Sequence, residues 1–208
     1  MRKINSILEQ HLHTNSLTIG KWLVFILSCL PIAYTAIDFY LDKLGANPIE
    51  SLLERSGECA LIFLILTLTV SPARKLLAWH ELIAIRRMLG LFCFSYACMH
   101  FLIYVVLDQW LDWSAIYQDI IKRPFITLGV LNLLLLLPLA ITSTDHMRQR
   151  MQTAWVKLHK LIYLIAILAI VHYWWSAKAD LLAPMIYASI LTILFAHRLS
   201  SHLQQRRL

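Results

Sequence analysis

The chain has 208 residues, of which 59% are hydrophobic and 15% are charged, and its formal net charge is +7. A soluble domain of this length could not bury so much apolar surface, so the composition predicts a multi-pass membrane protein. The basic excess is expected to set membrane topology rather than to bind nucleic acid. The sequence contains no glycine-rich nucleotide-binding motif, so the reductant of any bound cofactor must belong to a partner or to the lipid phase.

Six apolar stretches each come close to the roughly 20 residues that cross ~30 Å of hydrocarbon as a helix. The first carries no small-residue cleavage pattern and is therefore predicted to stay in the protein. We predict an all-α membrane protein, a single domain over residues 1–208 built as a six-transmembrane-helix bundle. The predicted spans are Trp22 to Leu41, Gly57 to Leu77, Met88 to Leu107, Phe125 to Thr142, Trp155 to Trp174 and Leu181 to His197.

Two connections carry helix-start signals. The order of residues is typical of a helix start: Asn47 suits the N-cap, Pro48 the first helical position and Glu50 the third. It predicts a short outer helix through Leu53. The stretch from Asp112 to Ile116 predicts an interfacial turn that ends before proline 124. These segments either dock a partner or anchor the loops at the membrane surface, and the sequence leaves both possibilities open.

Lysine and arginine residues are divided unevenly between the two sides of the predicted bundle. Cytoplasmic loops of membrane proteins carry the excess of these residues, so both termini are predicted to be cytoplasmic. Of the 19 lysines and arginines, 14 fall on the predicted inner side, and the five on the outer side are Lys43, Arg55, Lys122, Arg123 and Lys178.

Three of the nine histidines, His100, His159 and His172, fall inside predicted spans, where an imidazole requires a polar partner or a metal. His100 lies about 12 residues beyond Met88, roughly 18 Å into the third span, and His172 reaches a similar depth in the fifth. Neutral imidazole is a common axial ligand of heme iron, so we expect these two residues to clamp one heme near the outer face. Hydrogen bonding between helices is the alternative for each.

His159 is predicted some 20 Å from His172 along the helix axis and about 140° away around it, so the two share a face only if the helix is locally unwound. An inner heme at His159 has no evident second ligand. Arg86 lies 14 residues before His100, but a guanidinium does not bind iron and better suits a propionate or a lipid headgroup. His80 and His146 are weak candidates.

Small residues Gly90, Cys93 and Ala97 form a stripe on the His100 side of the third span. The stripe suits either the flat face of a porphyrin or close helix packing. The four cysteines form no C-x-x-C pair, so we interpret them as packing residues rather than zinc or iron–sulfur ligands.

At these residues the chain resembles the MsrQ family, heme-binding membrane subunits of the bacterial periplasmic methionine sulfoxide reductase system. The resemblance is carried by the runs from Arg86 to His100 and from Trp155 to Trp174. Shorter stretches follow in the same order at Leu44 to Pro48, Ser71 to Arg74, Arg123 to Gly129 and Thr142 to Thr144.

The resemblance implies a ferric reductase-like transmembrane domain in the inner membrane that carries b-type heme, one or two, with His100, His159 and His172 as the heme-associated histidines. It also implies FMN, for which no residue indicates a site. Electrons from the quinone pool or a cytosolic flavin reductase would pass to a periplasmic molybdopterin catalytic subunit that reduces methionine sulfoxide in proteins. The chain itself would be a non-catalytic electron-transfer subunit.

Two other functions are open from the sequence, namely a transporter and a membrane anchor without a redox role. Transport favours charged side chains at the bilayer midplane and broken helices, whereas the span centres here carry no Asp, Glu, Lys or Arg. A Soret band that responds to dithionite would separate the redox function from both.

Overall fold

The computed structural model describes residues 2–177 and 181–205, and the side chains of all of these except residues 2–17, 80, 202 and 205. In these two segments every regular element is helical. The elements are α1 (Arg2–Tyr40), α2 (Pro48–Leu76), a 3-10 turn (His80–Leu82), α3 (Ile83–Leu102) with a π-helical continuation (Ile103–Asp108), α4 (Trp113–Lys122), α5 (Pro124–Ile141), α6 (Asp145–Met151), α7 (Thr153–His159), α8 (Leu161–Ser176) and α9 (Leu182–Gln205).

Six helical stretches are long and apolar enough to cross a membrane, which confirms the predicted fold class. Many of their apolar side chains face outward; Trp22 is 62% exposed and Ile193 is 67% exposed. An outer surface of this kind suits lipid, because a bundle in a membrane does not have to hide apolar side chains from water. The stretches are Thr18–Tyr40, Pro48–Leu76, Ile83–Asp108, Pro124–Ile141, Thr153–Ser176 and Leu182–Ser201.

The second helix corrects one predicted boundary. The expected short outer helix and the second span are one continuous helix, because neither a proline nor a turn separates Leu53 from Gly57. Its start is as predicted: the Asn47 side chain accepts a hydrogen bond from the Glu50 N–H at 3.3 Å and donates one to the Glu50 carboxylate at 2.9 Å. The predicted interfacial turn is a full helix, α4, whose N-cap Asp112 accepts from two backbone N–H groups.

Helices α2 and α3 pack against each other as one antiparallel hairpin, and α5 packs against α8 as a second. The core lies between the hairpins and includes Leu64, Tyr96 and Ile165. The Phe63 and Tyr96 rings stack at 5.2 Å, and the Tyr96 hydroxyl donates to the Ser28 carbonyl of α1 at 2.7 Å. Apolar packing and this hydrogen bond from a side-chain hydroxyl to a backbone carbonyl therefore join α1 to the core.

The bundle has two chemically different ends. The histidine end holds His100 and His172, where α1, α3 and α8 finish and α2 and α5 begin. The arginine end, opposite, holds Arg74, Arg86 and Arg198. At the histidine end Arg55 of α2 forms an ion pair with the buried Asp38 of α1 at 2.6 Å, so this charge is neutralised inside an apolar zone.

The fifth span is interrupted at Lys160, between α7 and α8. The Lys160 N–H bonds the Lys157 carbonyl and the Tyr163 N–H bonds the Lys160 carbonyl, each at 3.2 Å. Both bonds span three residues, so this turn is wound at ~120° per residue instead of ~100°. The sequence made a shared face for His159 and His172 conditional on local unwinding, whereas the helix is wound more tightly at this turn.

Candidate functional site

The structure brings His100 and His172 together at one end of the bundle. Their ring centroids are 6.2 Å apart and the ring planes are nearly perpendicular, at 87°. The two side chains come from α3 and α8, which run in the same direction through the bundle. Their meeting agrees with the similar depths predicted for His100 in the third span and His172 in the fifth.

The backbone of α2 fixes the His100 ring. Its Nδ1 lies 2.9 Å from the Leu53 carbonyl oxygen and 3.3 Å from the Ser56 hydroxyl. The ring can come this close because Gly57 has no side chain; a Cβ there would lie 3.1 Å from both Cε1 and Nδ1 of the ring.

The second hairpin repeats this arrangement around His172. Its Nδ1 lies 2.6 Å from the Phe125 carbonyl oxygen of α5. Here the facing residue is Gly129, where a Cβ would lie 2.9 Å from Cε1 and 3.2 Å from Nδ1. That separation is shorter than real Cβ contacts, so only glycine fits without displacing the ring.

The two anchors share one register. A shift of 72 residues along the chain relates the first set, Leu53, Gly57 and His100, to the second set, Phe125, Gly129 and His172, in that order. Both histidines lie 47 residues after the residue whose carbonyl they contact. In each case the carbonyl belongs to the residue four before the glycine. A helical Cα–Cβ bond tilts toward the N-terminus, so a side chain at the glycine position would cover that carbonyl.

The glycines and carbonyls were not identified from the sequence, where only the histidines stood out. A signal was present, because the spacing from glycine to histidine is 43 residues in both hairpins. It becomes meaningful only once the partner helix of each histidine is known.

The hydrogen bonds determine which ring nitrogen can bind a metal. A carbonyl oxygen only accepts, so Nδ1 of each ring carries the proton and the lone pair of the neutral ring is on Nε2. Histidine metal ligands are commonly oriented in this way, by a carbonyl or carboxylate on the other nitrogen.

The spacing of the two rings fits a shared metal. An imidazole nitrogen lies about 2 Å from a bound transition metal, so two axial imidazoles on one ion place their ring centres roughly 6 Å apart. The observed 6.2 Å agrees with that separation. The residues present therefore fit an iron held by two histidines.

The structure does not bring His159 to this pair. It lies at the end of α7, toward the arginine end, where its ring stacks on Trp155 with centroids 3.8 Å apart. Its Nδ1 is 3.1 Å from the Trp155 carbonyl oxygen, and the Leu139 carbonyl of α5 is a second backbone acceptor for the ring. Of the weak candidates for a second ligand, His146 is an exposed residue of α6, and the His80 side chain lies outside the described residues.

The small-residue stripe of α3 faces α2. A Cβ on Gly90 would lie 3.7 Å from the Thr67 side chain, and Cys93 is buried in the core. Between the two possibilities left by the sequence, this contact favours close helix packing. All four cysteines carry free thiols.

The chain matches the family model of the ferric reductase like transmembrane component over residues 56–170, more than half of its length. It is 46% identical over 190 residues to a protein-methionine-sulfoxide reductase heme-binding subunit MsrQ of Rhodospirillum rubrum, covering 91% of each chain. It is 44% identical to the protein of the same name from Herminiimonas arsenicoxydans, covering 91% of this chain and 88% of that one. With the protein of that name from Azospira oryzae it shares 49% identity, over 86% of this chain and 77% of that one.

No solved structure matches the chain. The relatives cover nearly the whole of the chain, and the family model includes both anchoring glycines, His100 and His159. The chain therefore belongs to the MsrQ family of ferric reductase-like transmembrane proteins.

Proposed function

We propose that this protein is a b-type cytochrome subunit that carries electrons across the bacterial inner membrane, with His100 and His172 as the axial ligands of one heme. The observation that carries the proposal is the meeting of two backbone-anchored imidazoles at 6.2 Å. The names of the relatives, which describe heme-binding subunits, support the same cofactor.

When bound, a heme supplies reversible one-electron chemistry at its iron. The contribution of the chain is to prepare the two ligands. The Leu53 and Phe125 carbonyls hold the Nδ1 protons, which fixes the tautomer and the ring orientation and makes Nε2 more basic. Gly57 and Gly129 make these contacts possible by leaving the helix surface open.

We propose that the histidine end faces the periplasm and the arginine end the cytoplasm. The division of lysine and arginine supports this orientation. The electron donor is then the quinone pool or a cytosolic flavin reductase, on the arginine side. The acceptor is a periplasmic molybdopterin catalytic subunit that reduces methionine sulfoxide in oxidised proteins, at the end where His100 and His172 lie. Both assignments follow from the family resemblance.

The number of hemes is proposed to depend on whether His159 binds a second iron. Its imidazole and its place at the other end of the bundle are compatible with an inner heme, whereas the lack of a histidine from α3 at that level favours a single outer one. FMN is proposed from the family resemblance alone.

Pyridine-hemochrome quantitation on purified wild type, His100→Ala, His172→Ala and His159→Ala tests the proposal. We expect the first two variants to lose their heme because each loses an iron ligand, while His159→Ala keeps it. Partial loss in all three variants would indicate two hemes. Wild-type protein without a dithionite-responsive Soret band, or full heme content in His100→Ala and His172→Ala, would contradict the proposal.

A further inference from the structure

A cavity of about 190 Å³ opens at the arginine end of the bundle, between the C-terminal part of α2, the start of α8 and the C-terminal half of α9. It lies at the opposite end from His100 and His172, so it is not part of the histidine site. The lining residues that bear on its chemistry are Ser71, Arg74, Lys75, Tyr163, Arg198 and Ser201.

The cations that line this cavity have no acidic partners among the described residues. At the same end, Arg87 and Arg148 share Asp145, at 3.3 and 3.6 Å, outside the cavity. No carboxylate of the described chain is paired with the two arginines or the lysine of the cavity. The cavity therefore carries positive charge that no carboxylate of the described residues offsets.

Arg86 of α3 adds to this excess. Its side chain is half-buried and interacts electrostatically with Tyr163, Arg198 and Arg74, three residues that line the cavity. Bringing like charges together at a partly buried site is unfavourable unless an anion lies between or beside them. The positive-inside rule accounts for basic residues at this end, and Arg198 and Lys75 are exposed, but Arg74 and Arg86 are half-buried.

The wall of the cavity is organised for an anion with several oxygen atoms. The Arg198 guanidinium lies 4.7 Å from the centre of the Tyr163 ring, a cation–π contact that restrains it at the cavity wall. A guanidinium held in this way presents a planar fork of N–H donors, the geometry that matches phosphate oxygens. Ser71 and Ser201 add hydroxyl donors from two different helices.

The volume limits what can enter. A water molecule occupies about 30 Å³, so the cavity has the room of roughly six waters, enough for a phosphate group and the first atoms attached to it. We propose that this cavity binds the phosphate group of a ligand, either a phospholipid headgroup or a water-soluble phosphate monoester. The rest of the ligand extends out of the open side, into the lipid or into the cytosol.

The test compares two double variants of the full-length protein, purified with its native cofactor in a nonionic detergent. Arg74→Ala/Arg198→Ala removes two cavity cations. Arg87→Ala/Arg148→Ala removes the same charge from the same end of the bundle, outside the cavity. The probes are FMN against riboflavin, and phosphatidylglycerol against diacylglycerol, so that each pair differs in the phosphate-bearing group. Binding is read from native mass spectrometry and, for the flavins, from quenching of fluorescence.

We expect at least one phosphate-bearing probe to bind wild type more tightly than its phosphate-free counterpart. That preference should weaken about tenfold to hundredfold in Arg74→Ala/Arg198→Ala, because two charge-assisted hydrogen-bond donors are lost, and stay within about twofold in the control. A preference for FMN alone identifies a soluble monoester as the source, and a preference for phosphatidylglycerol alone identifies a lipid headgroup.

The proposal is overturned if wild type shows no preference within either pair, or if both double variants lose it equally. The Arg74→Lys/Arg198→Lys variant is the control for a folding defect, because it keeps both positive charges and removes only the planar array of guanidinium N–H donors. It should bind more weakly than wild type and more tightly than the alanine pair, with an unchanged gel-filtration profile. Heme content is measured on the same samples, so a failure of the histidine site is seen separately.

Discussion

The hairpin of α2 and α3 and the hairpin of α5 and α8 hold a histidine in the same way with almost unrelated sequences. Both place a glycine against the imidazole and a helix carbonyl on Nδ1, at the same spacing along the chain. They differ in tightness: the anchor is 2.6 Å in the second hairpin and 2.9 Å in the first, where Ser56 offers a second contact. The comparison teaches that the backbone contact is what the two halves share, while the surrounding side chains are free to differ.

The hairpins also differ away from the anchors. Thirteen residues before its anchored histidine, the first hairpin has Arg87 and the second has His159. Arg87 forms an ion pair with Asp145, whereas His159 stacks on Trp155. The similarity of the halves therefore holds at the histidine end and is lost at the other end, which is where a second heme would need a matching pair.

Among changes around the two anchors, we expect the largest effect at Gly129, which faces the more tightly held histidine. In Gly129→Ala the new Cβ would lie 2.9 Å from His172 Cε1, so the imidazole must move and its bond to the Phe125 carbonyl is lost. We expect heme affinity to fall about 10- to 100-fold, the usual cost of losing the group that orients a metal ligand. Heme titration of the apoprotein, followed by optical and EPR spectra, measures it.

Gly90→Ala is the matched control, because its Cβ would lie at an ordinary 3.7 Å from Thr67. Alanine is a better helix former than glycine by roughly 0.5–1 kcal/mol, so a loss of heme in Gly129→Ala cannot come from helix propensity. Equal heme affinity in the two variants would show that the close approach at Gly129 has no role.

A smaller effect is expected in the looser anchor. In Gly57→Ala the Cβ would lie 3.1 Å from the His100 ring, so the ring has to give by only a few tenths of an ångström. We expect this variant to keep its heme, with affinity reduced by no more than about tenfold and an altered low-spin EPR signal, since the ring planes change their mutual angle. A larger loss than in Gly129→Ala would reverse the ranking of the two anchors.

The smallest effect is expected from Ser56, whose side-chain contact to the histidine has no equivalent in the second hairpin. Ser56→Ala removes a 3.3 Å contact to His100 Nδ1 but leaves the Leu53 carbonyl in place. The midpoint potential should shift by less than about 59 mV, the tenfold step of a one-electron couple. Leu128→Ser, at the equivalent position of the second hairpin, is the reciprocal change, and redox titration measures both. Loss of heme in Ser56→Ala would mean that the hydroxyl, rather than the carbonyl, holds the ring.

The sequence predicted the six spans and the meeting of His100 with His172, because hydrophobic length and residue counting along a helix are local properties. It placed the second span too late, since Glu54, Arg55 and Glu58 give the first turns of α2 a polar character. The structure shows why they are tolerated there: Arg55 pairs with Asp38, Glu58 accepts a hydrogen bond from Tyr187 at 2.7 Å, and Glu54 is exposed.

The anchors of the histidines could not be predicted in the same way. Gly57 and Gly129 are ordinary span residues until the helix that faces them is known, and a helix carbonyl leaves no trace in the sequence. The tight turn at Lys160 is a further case, because the sequence suggested only local unwinding, as the condition for His159 and His172 to share a face. The two anchors depend on tertiary contacts across 43 or more residues.

Each histidine is anchored within its own hairpin, and this bears on how the protein is assembled. Each imidazole ring can lose its conformational entropy as soon as its own helix pair has formed, before any cofactor binds. Two halves that insert into the membrane one after the other would thus each carry a preorganised ligand, and iron would be the last link between them. In cofactor-free protein we expect the seam between α3 and α8 to open first, while each helix pair stays intact.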